Sequence, residues 1–346
     1  MHEKLIIAAP RKVTYEKVEL PPVGPTQIRV RALISAISHG TESVAYVGKS
    51  PFVDLKLAPE RIFVPKQPGD EAFYPFRWAG YDLVGEVEEA GSQTKLFKVG
   101  DRVYAPVPHQ SAYVFDENNP EILQLSPDTP PEDAIMIMLS TVALVGIHDA
   151  EVKLGDHVVV FGGGVVGQLA LQMAFLSGAA RVFLVEPAAE RRRMAVATCP
   201  AEAIDPTVEN PTVALRRMMD GKRPDVVLEC SGNVQGLKAA VQAAGVAGTV
   251  VAVGFYAGSA AEFSFAEEFL HNRVTVKASM GVWDCPSRWP IHWNRRRELE
   301  TARDLIAGQR LHFKEFAMLQ VPFKEAQRAY ETVLTTHRYM KTILTY

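Results

Sequence analysis

The most informative chemical motif in the sequence is the run G-G-G-V-V-G. Gly162, Gly164 and Gly167 satisfy the pattern G-x-G-x-x-G, and the apolar run HVVVF precedes them directly. In this pattern the first glycine permits a tight turn, the second lets a pyrophosphate approach the backbone, and the third allows a helix to pack closely on a strand. Free N–H groups of a helix that begins at Val165 and Val166 would face the phosphates. The motif predicts a dinucleotide-binding site.

A carboxylate follows the next apolar run of the sequence, where Glu186 comes directly after 181–185. A carboxylate at this place accepts hydrogen bonds from the adenosine ribose hydroxyls of NAD and repels the 2′-phosphate of NADP. Arg191 and the two arginines after it can reduce that repulsion, and an ordinary acid at a strand end is the alternative reading of Glu186. We expect NAD as the cofactor, with NADP less favoured.

The elements that must position this motif are visible in the hydrophobic pattern. After about residue 130, helical patterns such as 165–176 alternate with short apolar runs, at 157–161, 181–185, 225–228, 249–253 and 274–277. Continuous apolar strands of this kind suit a parallel sheet covered on both faces, so this part predicts a doubly wound α/β fold. Before residue 130, period-two alternation in 27–37 and short strands bounded by glycine predict β structure. The last sixty residues predict two helices and a terminal strand over 341–346.

Length, composition and charge exclude several classes of function. The chain has 346 residues, 47% of them hydrophobic, and a formal net charge of -3, so it is long enough for two domains and has no electrostatic reason to bind nucleic acid or an acidic membrane. No apolar segment is long enough for a signal peptide or a membrane span. The three cysteines, Cys199, Cys230 and Cys285, form neither a disulfide framework nor a CxxC metal motif. We expect a cytoplasmic protein with a small-molecule substrate.

Motifs along nearly the whole chain resemble the medium-chain dehydrogenase/reductase superfamily, to which the alcohol dehydrogenases belong. Besides the glycine motif, they are G-D-R-V at 100–103, A-G-Y-D-L-V-G-E-V at 79–87, V-x-x-G-D at 152–156 and E-C-S-G at 229–232. The resemblance implies a GroES-like, β-rich catalytic domain of residues 1–139 completed by 282–346, and a Rossmann NAD-binding domain of residues 140–281. It also implies a homo-oligomer, either a dimer or a tetramer.

The same resemblance assigns further residues to the cofactor site. Positions that line the cofactor in this superfamily match Thr141, Ser231, Gly254 and Met280 here. Ordinary packing at a strand end is the alternative for each of these four residues.

The zinc-binding members of this superfamily hold a catalytic metal with three side chains, and this sequence departs from their pattern. Their I-C-G-T-D corresponds to Ser38-His39-Gly40-Thr41-Glu42, and their G-H-E to Gly80-Tyr81-Asp82. The third ligand would fall near Ile137 or Met138, where no donor exists. Because a catalytic zinc needs three protein ligands and an open position, we expect no catalytic zinc.

Without zinc, other groups must polarise the substrate oxygen and take its proton. The resemblance brings two segments together at the catalytic site, and it implies that Thr41 matches the hydroxyl that relays the substrate proton. Either His39 or Tyr81 can act as the general base, and a histidine that titrates near neutral pH does so more easily. The alternative is that both residues only hydrogen-bond and fill space. The candidate catalytic residues are His39, Thr41, Glu42, Tyr81 and Asp82.

Within the superfamily, the sequence is similar to sugar dehydrogenases of the D-guloside 3-dehydrogenase type. The pieces that carry this similarity include S-H-G-T-E-S, which starts at Ser38, and S-P-F-V-D at 50–54. A pyranose needs flat apolar faces to stack on, and three of the four tryptophans of the chain lie in 283–297. Trp283, Trp289 and Trp293 are therefore candidate substrate-binding residues, with packing of a lid or of a dimer contact as the alternative.

These observations together predict an NAD-dependent oxidoreductase that oxidises a secondary hydroxyl of a glycoside, sugar or polyol to a ketone without zinc. Three alternatives remain open at this point. The first is a zinc-independent NADPH enoyl or quinone reductase, and the second is a bacteriochlorophyllide-type hydroxyethyl dehydrogenase. The third is a nucleotide-binding structural or regulatory protein without enzymatic activity.

Overall fold

The structure is a computed structural model that describes residues 2–256, 258, 263–281, 292–336 and 338–346. The chain divides into two compact units, which are described one at a time. Unit 1 contains Met1–Met136 and Ala317–Tyr346, and unit 2 contains Ile137–Phe316. None of the helices within the described ranges is long and apolar enough to span a membrane.

The elements follow one another in chain order. The strands are β1 (His2–Ala9), β2 (Lys12–Val18), β3 (Gln27–Ile37), β4 (Leu55–Leu57), β5 (Phe63–Pro65), β6 (Leu83–Ala90), β7 (Arg102–Ala105), β8 (Ala112–Asp116), β9 (Leu123–Gln124), β10 (His157–Phe161), β11 (Arg181–Val185), β12 (Ala201–Ile204), β13 (Val226–Glu229), β14 (Thr249–Ala252), β15 (Thr275–Ala278), β16 (Met318–Pro322) and β17 (Lys341–Thr345). The α-helices are α1 (Thr41–Tyr46), α2 (Pro131–Ala134), α3 (Ile137–Ala150), α4 (Val165–Leu176), α5 (Ala189–Thr198), α6 (Pro211–Met218), α7 (Val234–Ala243), α8 (Glu268–His271), α9 (Arg295–Ala307) and α10 (Ala326–Thr335).

Unit 2 is built around a parallel sheet in which the strands lie in the order β12-β11-β10-β13-β14-β15. The strand order reverses direction between β10 and β13, and in open sheets of this kind ligands bind at the carboxyl ends of the strands beside such a reversal. The residues Val158, Val159 and Val160 of β10 are fully buried, as a strand covered on both faces requires. The predicted doubly wound sheet is confirmed, and so is the helix over 165–176.

Unit 1 is β-rich, and its main sheet has the order β16-β17-β3-β6-β7-β9, with β8 also paired to β3. Strand β17 runs antiparallel to β3, with Thr342 opposite Ile37. The chain therefore returns to its first strands at residues 341–345. Leu5, Tyr46, Val321 and Tyr330 are among the buried residues that close one core of this unit.

The predicted domain division and the two units differ in one stretch. The resemblance implied divisions after residues 139 and 281, whereas the units divide after residues 136 and 316. Helix α9 accounts for the difference, because it packs against α3 within unit 2.

Candidate cofactor site and acid–base cluster

Two of the three glycines in the glycine-rich turn of unit 2 are required by close packing, and the third leaves its backbone open. Gly162 has a φ of +91°, and a Cβ on it would lie 2.7 Å from the backbone nitrogen of Ser231. A Cβ on Gly167 would lie 1.9 Å from the carbonyl oxygen of Gly162, so only glycine lets α4 pack this closely on the turn. A Cβ on Gly164, at the N-cap of α4, would meet nothing within 4 Å, so the space above this backbone is open. The turn therefore fits a dinucleotide pyrophosphate.

Glu186 lies directly after β11 and is 4% exposed. Its carboxylate accepts hydrogen bonds from the N–H of Gly163 at 2.6 Å and from the N–H of Ala188 at 2.8 Å. Arg191 lies beside it, with Nη1 3.8 Å from Oε2 of Glu186. The structure thus places Glu186 and Arg191 next to the glycine-rich turn, where the sequence predicted contact with the adenosine ribose.

The other residues predicted to line the cofactor lie mostly at the carboxyl ends of strands. Ser231 follows β13, Gly254 follows β14, and Met280, which is 46% exposed, follows β15. Thr141 is different, because it is fully buried in α3 and its hydroxyl donates to the carbonyl of Ile137 at 2.9 Å. Their role in cofactor binding stays a prediction.

In the sequence, Glu229 was noted only as the first residue of the motif E-C-S-G. In the structure, its carboxylate accepts four hydrogen bonds. This last residue of β13 is fully buried. Its carboxylate accepts from the hydroxyls of Ser231 and Tyr256 and from the N–H groups of Ser231 and Gly232. Burial raises the pKa of Glu229 more than these donors lower it. The signal in the sequence was an acid at the end of an otherwise apolar strand.

In unit 1, Glu42 organises the segment that carries several candidate catalytic residues. Its carboxylate is 2% exposed and accepts from the N–H of Ser38 at 2.7 Å and from the hydroxyl of Tyr330 at 2.5 Å. The same carboxylate lies 3.1 Å from Nε2 of His109. Burial alone would raise the pKa of Glu42, but the charge and hydrogen bond of His109, together with the other donors, hold it below its usual value. Glu42 is therefore ionised at neutral pH.

His109 is a second residue that sequence reasoning missed, and it connects both candidate segments. It is fully buried, its Nδ1 lies 2.7 Å from Oγ of Ser35, and its Nε2 faces Glu42. A Cβ on Gly80, whose φ is +91°, would lie 2.8 Å from the His109 ring. The glycine before Tyr81 is thus required by the imidazole beneath it. No motif surrounds His109, so only the fold reveals this role.

His39 and Tyr81 lie in this cluster with different partners. Nε2 of His39 is 3.0 Å from the hydroxyl of Thr342 at the start of β17. The hydroxyl of Tyr81 donates to the hydroxyl of Ser38 and also interacts with Thr41. Burial and the nearby negative charge of Asp82 raise the pKa of Tyr81, so this phenol stays protonated at neutral pH.

Asp82 is engaged in a buried ion pair that sequence reasoning did not foresee. Its Oδ2 is 3.0 Å from Nζ of Lys341, and its Oδ1 accepts from the hydroxyl of Tyr104 at 2.8 Å. Burial raises the pKa of Asp82, and Lys341 only partly opposes this shift. The signal that was overlooked is a lysine within the apolar strand β17, since a buried lysine needs a partner.

The residues at the positions that match the zinc ligands of zinc-binding medium-chain dehydrogenases do not fit a catalytic zinc. His39 is the one imidazole among them, Tyr81 stands where a histidine would bind, and Asp82 is already held by Lys341 and Tyr104. Among the residues that the structure describes, no group of three histidine, cysteine, aspartate or glutamate side chains could hold a metal ion.

Of the three predicted substrate-binding tryptophans, Trp283 and Trp289 lie outside the described residues. The ring of Trp293 is 4.2 Å from the His148 ring, and the guanidinium of Arg297 lies 4.1 Å from its centroid. Trp293 thus already contacts two side chains of unit 2, and stacking on a sugar stays a prediction.

The sequence and the fold are similar to those of known dehydrogenases. Residues 165–294 match the family described as zinc-binding dehydrogenase. D-guloside 3-dehydrogenase from Escherichia coli (strain K12) is 27% identical, with 97% of each chain covered. The 2-desacetyl-2-hydroxyethyl bacteriochlorophyllide A dehydrogenase from Cereibacter sphaeroides is 25% identical over 98% of this chain and 96% of that protein. The solved structure of 2R,3R-butanediol dehydrogenase from Bacillus subtilis has a TM-score of 0.78 at 19% identity, with 100% of both chains covered.

The folds of both units agree with the fold of this solved structure. This chain is therefore similar to zinc-binding, alcohol-dehydrogenase-like dehydrogenases, through the family match at residues 165–294 and through the relatives that match most of its length. The resemblance seen in the sequence is confirmed, including its similarity to D-guloside 3-dehydrogenase.

Proposed function

We propose that this protein is an NAD-linked dehydrogenase that oxidises a secondary hydroxyl of a glycoside or other polyol to a ketone, without catalytic zinc. The observation that carries the proposal is the glycine-rich turn, whose three glycines fit a dinucleotide pyrophosphate at the strand-order reversal of unit 2. Similarity to D-guloside 3-dehydrogenase over 97% of the chain supports a carbohydrate substrate.

Unit 2 supplies the groups that would hold the cofactor. The open backbone at Gly164 and the first N–H groups of α4, at Val165 and Val166, would bind the pyrophosphate. Glu186 would accept from the ribose hydroxyls, and its charge favours NAD over NADP. Bound NAD⁺ would supply the acceptor for the hydride from the carbinol carbon.

Unit 1 supplies the groups that would take the proton from the substrate hydroxyl. Nε2 of His39 lies 3.0 Å from the hydroxyl of Thr342, which would hold the ring in place, and the imidazole would take the proton as general base. Tyr81 is unsuited to this role, because burial keeps its hydroxyl protonated. Of the two candidate bases, the structure favours His39, and the hydroxyl of Tyr81 is suited to donating a hydrogen bond.

The test is a screen of purified protein for NAD⁺ and NADP⁺ reduction with glycosides, inositols and simple alcohols, together with metal analysis of the same preparation. We expect turnover with a glycoside or polyol, preference for NAD⁺, and well under one zinc per chain. Stoichiometric zinc bound through His39 would contradict the metal-free mechanism. Tight NADPH binding with reduction of enones or quinones would instead indicate the reductase alternative.

The bacteriochlorophyllide relative favours a second candidate, because it too matches nearly the whole chain. A hydroxyethyl-substituted chlorin therefore belongs in the same substrate panel. Turnover of that compound, with none of any sugar or polyol, would replace the first proposal by this one. Binding of NADH without turnover of any substrate would favour a regulatory protein. The expected homo-oligomer and cytoplasmic location remain predictions.

A further inference from the structure

Glu229 lies beneath three chain turns at the carboxyl edge of the unit 2 sheet. It ends β13, whose neighbours in the sheet are β10 on one side and β14 on the other. The turn after β10 contains Gly162, the turn after β13 contains Ser231 and Gly232, and the turn after β14 contains Gly254. A residue at this place can influence all three turns.

The backbones of these three turns lie too close together to admit side chains. A Cβ on Gly162 would lie 2.7 Å from the nitrogen of Ser231, and a Cβ on Gly254 would lie 2.3 Å from the nitrogen of Gly232. A Cβ on Gly232 would lie 2.6 Å from the carbonyl oxygen of Phe255. Because the turns touch backbone to backbone, a shift of the Ser231–Gly232 turn would displace Gly162.

The carboxylate of Glu229 holds the middle turn in place. Oε1 accepts from the N–H of Ser231 at 2.9 Å and from its hydroxyl, while Oε2 accepts from the N–H of Gly232 at 3.2 Å. The hydroxyl of Tyr256, after β14, also donates to Oε2. The backbone carbonyl of Glu229 accepts from the N–H groups of Val253 at 2.8 Å and Gly254 at 2.9 Å. Glu229 thus ties the turns after β13 and β14 together.

Because all of these partners are donors, both side-chain oxygens of Glu229 must accept hydrogen bonds. Four donors point at the carboxylate, and an ionised carboxylate offers about four acceptor sites and no donor. All of its partners among the described residues are neutral, so no ion pair accounts for the buried acid. A glutamine of the same shape would present an NH₂ group to one pair of donors, so the N–H of either Ser231 or Gly232 would lose its acceptor.

We propose that Glu229 is a positioning residue for the dinucleotide site, which holds the Ser231–Gly232 turn and Tyr256 so that Gly162 and the glycine-rich turn keep the shape that the cofactor needs. This inference rests on the proposed function, because it requires a dinucleotide at that turn. Glu229 lies beneath the turns and acts through them, without touching the cofactor itself.

The experiment compares full-length wild-type protein with Glu229→Gln, Tyr256→Phe and the control Glu209→Gln. Glu209 pairs with Arg217 near the surface of the same unit, so its substitution removes a carboxylate without touching these turns. The dissociation constants of NADH and NADPH are measured by nucleotide fluorescence, and the melting temperature of each variant is measured without nucleotide. Binding is read at a temperature well below the melting temperature of every variant.

For Glu229→Gln we expect about tenfold weaker binding of whichever nucleotide the wild type prefers, because the Ser231–Gly232 turn loses an acceptor and its shift displaces Gly162. Tyr256→Phe removes a single donor and should weaken binding about threefold, while Glu209→Gln should leave it unchanged. Because Tyr256→Phe keeps the carboxylate and its backbone partners, it tests the proposal even if Glu229→Gln does not fold.

Two results would overturn the inference, and they are distinguishable. Nucleotide binding within twofold of wild type in both folded variants, whatever their melting temperatures, would show that Glu229 is only structural. A wild-type protein that binds neither NADH nor NADPH would overturn the proposed function and this inference with it. Weaker binding in folded Glu229→Gln, with a dissociation constant that stays raised after correction for any unfolded fraction, supports it.

Discussion

Two glutamates, Glu42 in unit 1 and Glu229 in unit 2, are both buried, yet their pKa values shift in opposite directions. Glu42 faces the imidazole of His109 as well as two neutral donors, and its pKa is lowered. Glu229 faces neutral donors only, and its pKa is raised by burial. Hydrogen bonds from neutral groups therefore do not offset the loss of hydration at Glu229, whereas the additional interaction with His109 tips the balance at Glu42.

The two environments suit the roles that we propose for the two units. The contact between Glu42 and His109 anchors the segment that carries His39, where a proton must be moved. The neutral hydrogen-bond donors around Glu229 hold the backbone turns in place where a cofactor must be bound. Asp82 shows that a cation alone is not sufficient, since its pKa is raised despite Lys341, partly through the negative charge of Glu42.

The largest effect should separate the two units by function. His39→Ala should lower turnover by about 10²–10⁴-fold, because it removes the proposed general base. Affinity for NADH should stay within twofold of wild type, in contrast to the loss expected for Glu229→Gln. Steady-state kinetics measures the loss of turnover, and nucleotide titration measures the affinity for NADH. Unchanged turnover would remove His39 from the mechanism.

The next largest effect concerns His109, the imidazole beside Glu42. His109→Ala leaves the buried carboxylate of Glu42 without its imidazole partner, and removing the partner of a buried charge costs about 3–5 kcal/mol of unfolding free energy. His157 provides the control, because its pair with Asp225 is partly exposed at 3.4 Å, and His157→Ala should cost no more than about 1 kcal/mol. Urea unfolding at neutral pH measures both. Equal losses in the two variants would show that the His109–Glu42 pair does not stabilise unit 1.

The smallest effect is the opposite pH dependence of the contributions that the two glutamates make to the free energy of unfolding. The pKa of Glu42 is lowered from 4.5, so its contribution to stability is present above pH 4.5 and is lost as the pH falls below that value. The pKa of Glu229 is raised from 4.5, so its contribution is present below pH 4.5 and is lost as the pH rises above that value.

These two pH windows can be measured with single substitutions. The difference in unfolding free energy between wild type and Glu42→Gln should grow as the pH rises towards 4.5 and should change little just above that value. The difference for Glu229→Gln should shrink as the pH rises above 4.5, by about 1.4 kcal/mol for each unit of pKa shift. Parallel curves for the two variants would contradict the contrast between the two sites.

Much of the fold could be predicted from the sequence, because it is encoded locally. The five parallel strands of unit 2 that the apolar runs predicted lie within one residue of their predicted positions, and the helix over 165–176 begins and ends where its spacing required. The glycine-rich turn was visible because close packing at Gly162 and Gly167 admits only glycine.

The partners in the candidate sites could not be predicted in the same way. The His109–Glu42 contact joins residues 67 apart in the chain, and the Lys341–Asp82 contact joins residues 259 apart. Neither pair leaves a local pattern, because such contacts depend on which strands lie side by side. Only the burial of a charged residue in an apolar strand, as at Lys341 and Glu229, gives a signal in the sequence that a partner must exist.

The pairing of β17 with β3 also sets an order in time during synthesis. Lys341 reaches Asp82, and Thr342 reaches His39 from a separation of 303 residues, so neither contact can form until β17 has left the ribosome. All residues of unit 2 are made before β17, and a nascent chain can fold its domains as they emerge. A chain arrested shortly before residue 341 would thus contain every residue of the proposed nucleotide site while Asp82 lacked its cation and His39 its hydroxyl partner.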